Sequence, residues 1–72
     1  MLRYTVILER EEDGGYHAFA PALRGCHTQG DSLEKAVANA REAIELYIES
    51  LNAAGEPIPK EDIFIKSLEV AA

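Results

Sequence analysis

The stretch APALRGCHTQG, residues 20–30, sets Arg24, the chain's single cysteine and one of its two histidines within four positions. Those residue types suit thiol chemistry, in which a base within hydrogen-bond reach takes the proton from a nucleophile. The spacing argues against it. Cys26 and His27 are neighbours, and on a strand neighbouring side chains leave opposite faces. His17 is the other candidate base. A hairpin closed around Ala22 puts His17 opposite His27 and Cys26 opposite Ala18, so both imidazoles lie on the face away from the thiol. The same register predicts a pair of side-by-side histidines, a start for a zinc site with no evident third ligand or a contact surface sensitive to protonation. No CxxC or HxxxH spacing is present, and no metal or other cofactor is expected.

Carboxylates are the second source of chemistry. A metal-dependent nuclease needs them to converge from separate elements. The first strand offers Glu9 near its end, and the last offers Glu69 at its far end. Glu34, Glu42, Glu45 and Glu49 alternate with Lys35 and Arg41 on what reads as a solvated helix face. A nuclease using Glu9 and Asp31 is the alternative reading. The glycines follow no phosphate-binding pattern; they fall at turns and caps.

The elements that position these residues follow from periodicity. RYTVILERE, residues 3–11, reads as a strand. Asp13-Gly14 makes a tight turn. YHAFA returns, Pro21 stops it for want of an N–H, and CHTQ is a short third strand. From Leu33, apolar residues recur at steps of three and four through Leu51, which predicts a helix to about Ala53, stopped by Gly55. Asp31 is the expected N-cap, with Glu34 completing a capping box, and Ser32 is the alternative cap. After the stiff EPIP link, IFIKSLEV reads as a fourth strand with apolar residues on both faces. The expected fold is α+β: one β-β-β-α-β domain over residues 1–72, a four-stranded mixed sheet in the order 3-2-1-4, and one long helix on one face.

Seventy-two residues bury only about 60% of the surface that the unfolded chain exposes. A thin core without a disulfide predicts a homo-oligomer. The net charge of −6, with seven scattered Lys and Arg, argues against direct nucleic-acid binding and favours a basic protein partner. No apolar run approaches the ~20 residues of a membrane span. The acidic N-terminal stretch is no signal peptide, so a cytoplasmic location is expected.

Residues 4 to about 70 resemble the HicB family of antitoxins. The similarity lies in the opening strand, the D-G-G-Y turn at residues 13–16, the PALRGCHTQGDSLEKA block at residues 21–36, the helix with AREAIELYI, and the EPIP exit. The resemblance implies a partial ribonuclease H-like fold without nuclease activity. It implies a partner as well: a small basic toxin of the HicA type that cleaves mRNA and is silenced when its active site is covered. Many members of that family also carry a C-terminal DNA-binding module. No basic helix follows the last expected strand here, so this chain is not expected to bind DNA. Tyr16, His17, Phe19 and His27, on the open sheet face and first hairpin, are the expected partner contacts. A stand-alone oligomer without a toxin is a third reading.

Overall fold

A computed structural model describes residues Met1–Ala72. It contains β1 (Ile7–Arg10), β2 (Tyr16–Phe19), β3 (His27–Gly30) and α1 (Leu33–Ala54). The strands form an antiparallel meander in the order β1-β2-β3. The four-stranded mixed sheet expected from the sequence, order 3-2-1-4, is therefore corrected to three antiparallel strands and one helix. The physical reason lies at residues 59–61. The Tyr4 hydroxyl donates to the Pro59 carbonyl, and the Glu61 carboxylate accepts from both the Thr5 N–H and the Thr5 hydroxyl. A side chain thus takes the backbone donor that a neighbouring strand would use. From Asp62 onward every residue is exposed; Phe64 is 96% and Val70 83% accessible.

The first hairpin turns where expected. Gly14 has φ +96, a left-handed conformation in which a Cβ is costly. The Asp13 carboxylate accepts from the Gly15 N–H at 3.0 Å, and Glu11 N–H donates to the Gly15 carbonyl at 2.8 Å. β1 is shorter than the expected strand over residues 3–11. Its ladder with β2 ends at Ile7–Phe19, where Ala20 leaves to pair with Cys26 and Pro21 has no N–H to offer.

The second turn closes differently from the expected one. Leu23 N–H donates to the Ala20 carbonyl and Cys26 N–H to the Leu23 carbonyl, so two successive turns centre the hairpin on Leu23 rather than Ala22. The register becomes Phe19–His27 and His17–Gln29, two residues from the expected His17–His27 pairing. A shift of two preserves which face each side chain takes.

The N-cap is Ser32, not Asp31. Its backbone is extended and its hydroxyl accepts from the Lys35 N–H at 3.1 Å, satisfying one orphan donor of the first turn. Gly55, at φ +69, ends α1 with bonds to the Leu51 and Asn52 carbonyls. The core is thin: six of 72 residues are buried. Ala18 meets Ala36 and Ala40, with Val6, Leu8 and Tyr16 against them. Ala20, Leu23 and Cys26 form a second cluster under Ile44, Tyr47 and Ile48. Alanine on both sides lets helix and sheet approach closely. Gly30 takes this to the limit, since a Cβ there would lie 2.4 Å from the Ala36 nitrogen.

Candidate contact face and acidic hairpin

Alternation along the strands sends Ala18 and Leu8 toward α1 and leaves Glu9, His17, Phe19, His27 and Gln29 on the uncovered face. Three of the four expected contact residues meet there. His17 and His27 stack with ring centroids 5.0 Å apart, and Phe19 lies 5.5 Å from His17 and 5.3 Å from His27. His17 Nε2 and His27 Nδ1 are 2.9 Å apart, a hydrogen bond that requires one of the two nitrogens to carry no proton. The diagonal register permits this contact, because residues offset by two across a strand pair are within reach of ring side chains.

Tyr16 is not part of this group. It faces α1 and packs on the Ala18–Ala36–Ala40 cluster. Its hydroxyl emerges at the edge, where it accepts from Arg10 Nη2 at 3.1 Å. The Arg10 guanidinium carbon lies 5.7 Å from the Tyr16 ring centroid. That separation is within the range of a cation–π contact.

Next to the ring cluster is a run of acids that was not among the expected contacts. Glu9 Oε1 lies 3.4 Å from His17 Nδ1. A shallow hollow at the hairpin end is lined by Glu9, Arg10, Glu11, Glu12, Asp13 and His17. Four carboxylates against one guanidinium make that end strongly negative. The signal was the EREED run at residues 9–13, which reads as turn chemistry until the fold places it beside the rings.

Cys26 belongs to the opposite face, buried with Ala20 and Leu23. Burial raises its thiol above the ordinary value of 9.0. That shift disfavours the thiolate that a nucleophile requires. Glu9 and Asp31, the carboxylates named for the nuclease reading, are both exposed, and Glu9 is paired with His17. No three His, Cys, Asp or Glu side chains are grouped to hold a metal ion. No helix is long and apolar enough to cross a membrane. The uncovered face therefore carries aromatic rings at its centre and carboxylates at one end.

The chain is similar over residues 4–70 to the family described as HicB_like antitoxin of bacterial toxin-antitoxin system. It is 63% identical over 67 residues to the UPF0150 protein ssr1765 of Synechocystis sp., covering 93% of this chain and 85% of that one. It is 48% identical over 61 residues to the UPF0150 protein Ta0767 of Thermoplasma acidophilum, covering 85% and 88%. Its fold matches the crystal structure of the N-terminal domain of Burkholderia pseudomallei antitoxin HicB with a TM-score of 0.69, at 24% identity, over 86% of this chain and 69% of that chain. A turn-rich β-β-β-α framework, the match over residues 4–70 and these relatives lead to one conclusion: the chain belongs to the HicB-like antitoxin family.

Proposed function

We propose that this protein is a non-enzymatic, cytoplasmic antitoxin whose HicB-like domain binds a small basic mRNA-cleaving toxin of the HicA type and covers its active site. The observation that carries the reading is the ring cluster of His17, Phe19 and His27 beside the acidic hairpin end. Aromatic anchors at the centre of an interface supply most of its binding energy. Surrounding carboxylates speed encounter with a cationic partner and reject anionic ones such as RNA. The mechanism is occlusion: the toxin's RNA-binding surface is basic, and an acidic surface competes for it without any bond being made or broken. Tyr16 contributes through its edge hydroxyl and the Arg10 it holds, not through its ring.

Co-expression with the small open reading frame adjacent to the gene tests the proposal. The expected result is relief of the growth arrest that the partner causes alone, together with recovery of a stable complex. Unrelieved arrest with no complex overturns the reading.

A further inference from the structure

Two features of the chain are unaccounted for by toxin binding, and they complement each other. The first is the segment after Glu61. Residues 62–70 are exposed throughout, in neither helix nor sheet, and carry Phe64, Ile65, Leu68 and Val70. That segment stands away from the body. The radius of gyration is 14.2 Å. A compact chain of this length would have about 11 Å. The second feature is a groove between the N-terminal segment and α1. Leu2, Val6, Val37, Ile44 and Ile48 line it, and its volume is ≈ 790 Å³. Clefts of that size bury bound ligands. Val37, though on the helix face that reads as core, is 43% exposed. No residue of the chain's own C-terminal segment enters this groove.

We propose that residues 62–70 are an exchange arm: the arm of one copy seats in the Leu2–Val37–Ile48 groove of a second copy, whose own arm seats in the first. Charge supports a second copy as the occupant. Arg3, Arg41, Glu45 and Glu49 also line the groove, and the arm carries Asp62, Lys66 and Glu69, so each sign on the arm has an opposite sign available. Stoichiometry supports it too. Every chain brings one arm and one groove, so a two-fold exchange uses both and closes. The root of the arm is anchored by Tyr4 and Thr5, which line or adjoin the groove, so crossing to a partner needs no rearrangement of the body. This arrangement uses the side of the molecule away from the ring cluster and does not depend on the toxin reading.

Sedimentation analysis of the full chain and two variants tests the exchange. Phe64→Glu spoils the arm, and Val37→Glu spoils the groove; both residues are exposed, and circular dichroism verifies that the variants fold. The wild-type chain should be a dimer at micromolar concentration, and each variant should dissociate about a hundredfold more readily or beyond. Mixing the two variants should restore a mixed dimer, since the Phe64→Glu copy keeps its groove and the Val37→Glu copy keeps its arm. A monomeric wild-type chain, dimers indifferent to both substitutions, or variants that fail to associate when mixed would each overturn the proposal.

Discussion

Replacing Gly30 with alanine tests how the sheet and helix are held together. A Cβ at this position would lie 2.4 Å from the Ala36 nitrogen, 2.8 Å from its Cα and 2.8 Å from the Lys35 carbonyl carbon. All three are backbone atoms, so no side chain can swing away. Ordinary van der Waals contact begins at 3.4 Å. Reaching it requires β3 and the first turn of α1 to separate by about 1 Å, a gap that forfeits part of every contact across it. Overpacking of this type costs about 1–3 kcal/mol. Separation also loosens the contact of Ala36 with Ala18, so the upper end of that range is expected. For a domain of this size, about 3 kcal/mol lowers the melting temperature by roughly 12–24 °C. Gly14→Ala is the control. No atom lies within 4 Å of the Cβ added there. Its cost is the left-handed backbone strain alone, about 1–2 kcal/mol. Thermal melts followed by circular dichroism distinguish the two. A Gly30→Ala change within about 0.5 kcal/mol of wild type, or smaller than that of Gly14→Ala, refutes the close approach.

Ser32→Ala should lower stability by about 1 kcal/mol through loss of the cap, while Asp31→Ala should change it by less than half of that. Denaturant titrations of both variants compare them, since only Ser32 bonds the Lys35 N–H. Cys26 gives a pH test. Its folded value is raised by burial from 9.0. Its contribution to stability is therefore complete below the unfolded value and is lost as pH rises through the folded value. The unfolding midpoint of the wild-type chain should fall above pH 9.0 more steeply than that of Cys26→Ala, and parallel curves would contradict burial of the thiol.

Local chemistry was the legible part of this fold. Asp13-Gly14, Gly55 and the three-four spacing from Leu33 place the first turn and α1 to within one or two residues, because turns, caps and amphipathic periods are properties of short segments. Long-range choices were not legible. Nothing near Leu23 announces that its side chain will be buried inside a turn and shift the hairpin by two residues. The face of each histidine was still predicted, since parity survives such a shift. Ser32 and Asp31 are both good caps, and only the backbone geometry selects between them. IFIKSLEV carries strand-like residues, but pairing depends on an available edge, and Glu61 occupies the donor of Thr5. Of the four expected contact residues, His17, Phe19 and His27 fall together on the uncovered face. Tyr16 was misplaced because the hairpin neighbourhood suggested exposure while the strand alternation turns its ring toward α1.

The central claim is that the uncovered sheet face binds a basic toxin. Titration calorimetry of the purified product of the small open reading frame adjacent to the gene into the full chain, and into Phe19→Ala and His27→Ala, tests it most directly. The rings project from the face away from α1, so neither substitution should unfold the protein. The account predicts a saturable complex for the wild-type chain and a loss of about 2 kcal/mol, roughly thirtyfold in affinity, for Phe19→Ala, with a smaller loss for His27→Ala. Binding of equal strength by all three proteins, or no heat of binding to the wild-type chain, would contradict it.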